Sequence, residues 1–325
     1  SWSFLNSSNS VLKDNPPALE DFRRRLSWQD LDKNLIEKHL AICVEEDVGQ
    51  NLRESSACQL DVTTKYCEIF NRGSAYLMAR ETMVLCGLYL IPHIFKVFET
   101  EKINFESTYV DGDILNGNDI IGVMTGPLNE ILVVERSVLN YLQRLSGIAT
   151  STLKLKTKIT EFGVGLLDTR KTTPGLRLLE KYACACGGSF NHRIGLYDRI
   201  LIKDNHLSAV QATQGTKLTN FLHSFTVNCP DHFLIEVEID EIEQLEHAIK
   251  AGVDAVLLDN FSPDSIGKAV LQNENRVVIE ASGGITETTI TDYAKAKPHF
   301  ISTGVPIHSS RWVDIGLDWN CIKDV

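Results

Sequence analysis

Residues 168–206 read DTRKTTPGLRLLEKYACACGGSFNHRIGLYDRILIKDNH and gather Arg170, Lys171, Arg177, Lys181, His192, Arg193, Arg199 and Lys203 in a chain whose formal net charge is -11. Cations at that density suit an anionic ligand, or else a solvated basic face. Arg177, Lys181 and Arg199 fit either use equally. Lys203 closes the apolar run RILI, which predicts a buried stem and an ammonium held at a strand tip. An anion there would offset the desolvation of the charge. Arg170 and Lys171 occupy turn-like sequence beside Thr169, and Arg193 stands beside His192 after the glycine pair of GGSFN. Two arginines can grip two carboxylates bidentately and so orient a flat dianion. His192 can add a donor to a carboxylate, or serve as a structural histidine.

Two further groups could act with these cations. The turns ASGGI (281–285) and STGV (302–305) each follow a late apolar run, and glycine lets backbone N–H groups approach a phosphate closely. Glu238 and Asp259 close consecutive apolar runs. Paired carboxylates there can hold Mg2+, hydrogen-bond ribose hydroxyls, or merely neutralise nearby lysines. Glu236 shares strand parity with Glu238 and is expected to need a buried cationic partner, Lys203 or Lys171.

The elements that must position these residues are legible as pattern. Apolar residues at helical spacing run from about Leu31 to Val48 and again from Val133 to about Phe162. Between them, Gly73 to Ala79, Val84 to Cys86 and a turn-rich stretch through YVDGDILNGNDIIGVMTGPLNEIL predict an antiparallel sheet or small sandwich. After Gly163, short apolar runs (GVGLL, RILI, FLIEV, AVLL, VVIEA, HFIS) each end on polar residues, with helical stretches such as EIEQLEHAIKAG between several of them. That alternation predicts parallel α/β architecture, a barrel or an open doubly wound sheet, with the polar tips on one face.

Composition sets the class. A chain of 325 residues, 43% apolar and 23% charged, is expected to fold as a soluble protein of two domains or a barrel with an attached layer. No apolar run approaches the roughly 18 residues that span a bilayer, and the acidic balance argues against nucleic acid as partner. The eight cysteines are scattered, and the Cys184/Cys186 pair has no second pair at zinc-site spacing, so structural thiols in a reducing cytoplasm are expected. Residues 1–30 read as a partly mobile leader without signal-peptide character.

The segments VVERSVLNYLQRLSGIAT, DTRKTTPGLR, GGSFNHRIGLYD, ILIKDNH, EVEIDEIEQLEHAIKAGVDAVLLDNF and EASGGIT resemble, in unbroken order from about Glu45 to Trp319, the quinolinate phosphoribosyltransferases, or carboxylating nicotinate-nucleotide pyrophosphorylases. The resemblance implies a type II phosphoribosyltransferase-like fold. An N-terminal open α/β sandwich (31–145) would precede an incomplete α/β barrel (146–308), and a C-terminal segment (309–325) would return to the first domain. It implies a homodimer whose active sites are shared, acting in NAD biosynthesis on quinolinate and phosphoribosyl pyrophosphate. Arg136, Thr169, Arg170, Lys171, His192, Arg193 and Lys203 would then surround quinolinate, Arg136 reaching in from the partner subunit. Glu238, Asp259, Ser282, Gly283, Gly284, Thr303, Gly304 and Val305 would bind phosphoribosyl pyrophosphate. Lys171, Lys203, Glu238 and Asp259 would be catalytic, with Mg2+ as cofactor on the last two.

The chain departs from the family pattern in CACGGSF, a Cys-rich form of a glycine turn, and in STGVPIHSS, where Pro306 removes a backbone donor and His308 is unusual. Three other readings predict different outcomes. Pyridine phosphoribosyl transfer without decarboxylation would release no CO2. A Schiff-base aldolase using Lys203 would be trapped by borohydride. A non-catalytic scaffold would show no turnover with both substrates and Mg2+.

Overall fold

The computed structural model describes residues 15–49, 55–100 and 102–321. They divide by contact into two units. One holds 25–157, 168–191 and Gly304 onward; the other holds the residues up to Arg24, 158–167 and 192–303. The chain therefore changes unit more often than the linear division at 145/146 suggests.

The first unit is built on a four-stranded antiparallel sheet. Its strands are β1 (Arg72–Ala79), β3 (Asn104–Glu106), β5 (Ile120–Pro127) and β12 (Ile315–Cys321), in the order β12-β1-β5-β3. Burial along β1 alternates from Gly73 to Ala79, the period expected of a strand with one face on a core. The short pair β2 (Met83–Val84) and β4 (Ile114–Leu115) lies apart from that sheet, and β2 stops before the predicted Cys86. The helix Leu128–Ile159 carries Ile131, Val134, Val138, Leu142, Leu145 and Ile148 on its buried stripe and belongs to the same core as Ala75 and Leu77. It begins five residues before the expected Val133, because Pro127 ends β5 and Leu128 can start a helix at once. Strand β12 pairs with β1 from Gly73↔Cys321 to Ala79↔Ile315, so residues 315–321 return to the N-terminal sheet.

The second unit is parallel α/β. Its strands are β6 (Gly165–Leu167), β7 (Ile200–Ile202), β8 (Ile235–Ile239), β9 (Ala255–Asp259), β10 (Val278–Ser282) and β11 (Phe300–Ser302). They pair in the order β6-β11-β10-β9-β8-β7, all parallel. Each strand from β7 onward pairs with the next, and the last pairs with β6, so the ring lacks only the β6–β7 ladder. This is an incomplete α/β barrel. All six strands fall on the predicted apolar runs, shifted by a residue or two.

Residues 15–30 differ from the expected leader, whose first 14 residues lie outside the described ones. Phe22 is fully buried and stacks on Phe300 at 5.9 Å, and Arg24 pairs with Asp198 at 2.5 Å. In the other unit, Arg25 donates to the carbonyls of Gly188 and Ser189, and the Leu26 N–H to Asn191. Too few apolar residues occur there for a periodic pattern, yet one aromatic and three arginine and backbone anchors hold the segment.

Candidate active site

Five consecutive barrel strands deliver the predicted residues to one rim. Lys203 follows β7, Glu238 lies near the end of β8, Asp259 and Ser282 close β9 and β10, and Thr303 follows β11. Because the strands are parallel neighbours, these residues occur around the rim in sequence order. Lys203 Nζ stands 3.9 Å from Glu238 Oε2, and its side chain is half-exposed. Burial raises the Glu238 carboxyl above its ordinary range; Lys203 opposes that rise and Asp259 adds to it. Glu238 and Asp259 lie at the ends of the paired strands β8 and β9, and together they offer the oxygen donors a hard cation prefers.

The glycine turn beside them is constrained by contact. Gly283 has φ +95°, and a Cβ there would lie 2.3 Å from Asn260 Oδ1 and 2.7 Å from Asn260 N. The Asn260 N–H donates to Ser282 O at 2.9 Å, and Asn260 Nδ2 donates to Asp259 at 2.7 Å. Asp259 and the turn are thus joined through Asn260. Around Gly284 (φ +62°) a Cβ would meet no atom within 4 Å, so its backbone faces open space. Thr303 is less available: its hydroxyl donates to Ile285 O at 2.9 Å.

Inside the same barrel lies a cluster that the strand parity of Glu236 only hinted at. His192, Glu236 and Glu280 are buried, with His192 Nε2 at 3.2 Å from Glu236 and 3.4 Å from Glu280. Arg199, stacked on the Phe22 ring at 3.9 Å, reaches Glu236 at 3.9 Å. The partner of Glu236 is therefore His192 with Arg199, not Lys203 or Lys171: parity gives the face of a strand but not what crosses the barrel to meet it. Two effects act on the His192 ring. Burial disfavours the imidazolium, while Glu280 and Glu236 outweigh it and lift the ring's pKa to about 9. Against that, the Arg193 N–H points at Nδ1 from 2.8 Å, leaving no room for a second ring proton. That hydrogen bond decides for a neutral ring protonated on Nε2. The spare proton then lies on the carboxylates, with Glu236 raised first by burial and then by Glu280. These three side chains are also the trio, among the described residues, whose ligand atoms converge enough for a metal ion, within 4.8 Å of one another. With hydrogen-bond spacings and a guanidinium beside them, they fit a shared proton better than a divalent cation. Arg193 is buried and donates to Arg199 O at 3.4 Å.

The remaining residues belong to the other unit. Thr169, Arg170 and Lys171 form a turn after Leu167, in which the Lys171 N–H is held by Thr169 Oγ1 at 3.1 Å and Arg170 keeps a buried Nε without a partner. Arg170, Lys171, Thr172 and Thr173 line a cavity of about 360 Å³ with Arg144, Ile307 and His308. A Cβ on Gly304 would fall 2.7 Å from the His308 ring and 3.5 Å from Lys171 Cβ, so Gly304, His308 and Lys171 meet. Pro306 occupies the first turn of the helix Val305–His308, where a helix leaves its N–H groups unpaired in any case. Arg136 is exposed on the helix Leu128–Ile159.

Sequence spacing missed several residues here. Lys181 and Arg199, which could have formed a solvated face, are buried, Lys181 against Asp168 at 2.5 Å; Arg177 is partly buried and donates to Thr172 Oγ1 at 3.1 Å. Arg144, Glu180 and Asn191 were not singled out at all. Cys184 is fully buried, its thiol pushed up by burial and then by Asp168, which fits an inert structural role. In the CACGGSF turn, a Cβ on Gly187 would lie 2.3 Å from Ala149 O, so the glycine permits helix Arg177–Cys186 to end against the long helix.

Comparison with known proteins gives the same picture along most of the chain. Residues 61–146 match the N-terminal domain of quinolinate phosphoribosyl transferase and residues 148–318 match its C-terminal domain. A Synechocystis protein, named as a probable carboxylating nicotinate-nucleotide pyrophosphorylase, is 34% identical over 286 residues, 87% of this chain and 92% of its own. A Bacillus subtilis protein of the same name is 38% identical over 261 residues, 79% of this chain and 87% of its own. The solved structure of the nicotinate-nucleotide pyrophosphorylase from Francisella tularensis superposes with a TM-score of 0.79 at 34% identity, covering 90% of this chain and 98% of that one.

Proposed function

Since this chain belongs to the quinolinate phosphoribosyltransferase family, we propose that the rim residues and the cationic turn described above carry out that family's reaction. Quinolinate and phosphoribosyl pyrophosphate are converted to nicotinate mononucleotide, CO2 and pyrophosphate, a step of NAD biosynthesis. The observation that carries the assignment of residues is the rim order Lys203, Glu238, Asp259, Ser282, Thr303. It sets a cation, two carboxylates and a glycine turn beside one another.

In this reading the two carboxylates of quinolinate are gripped by Arg170, Lys171, Arg193 and Lys203, with Thr169 and His192 beside them. His192 already uses both ring nitrogens, so its part is to hold the Arg193 backbone rather than to donate freely. The pyridine nitrogen displaces pyrophosphate from C1 of the ribose. Its new positive charge then stabilises the C2 carbanion left when the carboxylate departs as CO2, and a proton taken up at C2 from solvent completes nicotinate mononucleotide. The ring is the electron sink; the protein supplies orientation and fixed charge. Glu238 and Asp259 face the ribose, and Gly283, Gly284, Gly304 and Val305 offer backbone to the phosphates. Mg2+ fits the oxygen pair Glu238/Asp259 and would there neutralise the pyrophosphate oxygens. The exposure of Arg136 supports a homodimer in which it serves the partner's site, and the seven free cysteines among the described residues suit a reducing cytoplasm.

The test is incubation with phosphoribosyl pyrophosphate, Mg2+ and either quinolinate or nicotinate. Nicotinate mononucleotide detected by mass from quinolinate, and not from nicotinate, is expected. The reverse preference would replace this reading with transfer that needs no decarboxylation.

A further inference from the structure

The turn carrying Thr169, Arg170 and Lys171 is anchored at both ends by two consecutive, fully buried residues of one helix, Arg177–Cys186. At the near end, Lys181 Nζ donates to Asp168 Oδ1 at 2.5 Å and approaches Thr169 O at 3.4 Å. The other Asp168 oxygen accepts from Asn191 Nδ2 at 2.6 Å, and Asn191 also donates to Lys181 O at 2.9 Å. At the far end, Glu180 accepts from the Thr173 N–H at 2.8 Å, from the Thr173 hydroxyl at 2.9 Å and from Arg144 Nη2 at 2.9 Å. Arg144 is fixed in turn by Ile307 O at 2.9 Å and Ser310 Oγ at 3.0 Å. Neighbouring helix residues point about 100° apart, so one helical turn reaches both ends of the loop at once.

A buried carboxylate and a buried ammonium are costly unless each is fully paired. Here Lys181 is paired to the loop, and Glu180 to the loop and to Arg144, so the loop's position is part of what keeps both charges satisfied in their burial. Between the anchors stand only Thr169, Arg170, Lys171 and Thr172, and neither anchor lines the cavity that Arg170 and Lys171 border. We infer that Glu180 and Lys181 are positioning residues: acting through Thr173 and Asp168, they fix where Arg170 and Lys171 present their charges. The inference rests on the reading that these two cations bind quinolinate.

The variants to compare are Glu180→Gln, Lys181→Met and Lys181→Arg, with the double variant Asp168→Asn/Lys181→Met in case removal of one buried charge prevents folding. Each is assayed for quinolinate and phosphoribosyl pyrophosphate kinetics, and for hydrogen exchange of the 168–173 amides. Misplacing a binding group can cost orders of magnitude, so Glu180→Gln and the folded lysine variant are expected to raise KM for quinolinate on the order of tenfold. KM for the second substrate should stay within about twofold of wild type, since its groups lie elsewhere. Amides 168–173 should exchange faster, and Lys181→Arg should recover most of the loss. Folded variants with unchanged quinolinate KM would overturn the inference. So would a proportional fall in activity that merely follows the folded fraction. A wild-type protein without turnover on quinolinate would instead count against the functional reading, and the exchange data would still decide whether the anchors hold the loop.

Discussion

Replacing Glu236 and Glu280 by glutamine, singly and together, tests whether the barrel interior holds one proton between two carboxylates. Arg199 supplies one fixed positive charge and the His192 ring is neutral, so one ionised carboxylate makes the cluster neutral and two would leave a buried negative charge. In either single variant the remaining glutamate ionises, the glutamine keeps the volume, and Arg199 keeps an anion. The cost should be about 1 kcal/mol or less. In the double variant no carboxylate is left inside the cluster, and removing the partner of a buried charge costs roughly 3–5 kcal/mol. The two substitutions should therefore be coupled by on the order of 2 kcal/mol or more. Using about 2–4 °C per kcal/mol as an upper guide for a chain this long, single variants lower Tm by a few degrees at most. The double variant should fall by on the order of 10 °C. Thermal unfolding followed by circular dichroism near neutral pH reads this directly. Additive losses, or single variants as damaged as the double, would refute the shared proton. The pH dependence has a definite sign. Burial raises the folded-state pKa of Glu236, so the native protein binds a proton that the unfolded chain has released, and wild-type stability falls as pH rises from the unfolded value of about 4.3 toward the raised one. Single glutamine variants lack that proton uptake and should gain on wild type as the pH rises.

Three more outcomes follow from the rim and the loop. Glu238 has a raised pKa caused first by burial, so it loses its charge as pH falls through a value above the ordinary glutamate range; the acid limb of kcat/KM should lie above that range and move in Glu238→Gln. Gly283→Ala would place a methyl 2.3 Å from Asn260 Oδ1 at φ +95°, and should raise KM for phosphoribosyl pyrophosphate with quinolinate binding little changed, which separate saturation curves would show. Mixing inactive Arg136→Ala and Arg170→Ala proteins under subunit exchange should restore part of the activity through dimers with one intact site; no recovery would remove Arg136 from the partner's site.

The parts of this molecule that could be read from the sequence are those set by local pattern. Six apolar runs ending on polar residues predicted six parallel strands, because a strand buried on both faces must be continuously apolar and its tip need not be. The order of Lys203, Glu238 and Asp259 around the rim follows from that pattern alone. What pattern could not supply were contacts between distant residues. For Lys181 and Arg199 the sequence leaves a solvated face and a ligand-binding role equally open, because their partners, Asp168 for one and Phe22 with Glu236 for the other, lie on other elements. The start of the long helix was placed late because LNEIL is a short apolar run, ambiguous between strand and helix until Pro127 is seen to end β5. The pairing of β12 with β1 joins segments more than 200 residues apart, and only the resemblance anticipated it.

The central claim is that ribosylation of the ring nitrogen creates the charge that allows the C2 carboxylate to leave. Quinolinate labelled at the C2 carboxyl tests it most directly. Labelled CO2 and nicotinate mononucleotide should form in a one-to-one ratio, and both should fall together in Lys203→Ala. Label released without nucleotide, or a nucleotide retaining the labelled carboxyl, would contradict the account.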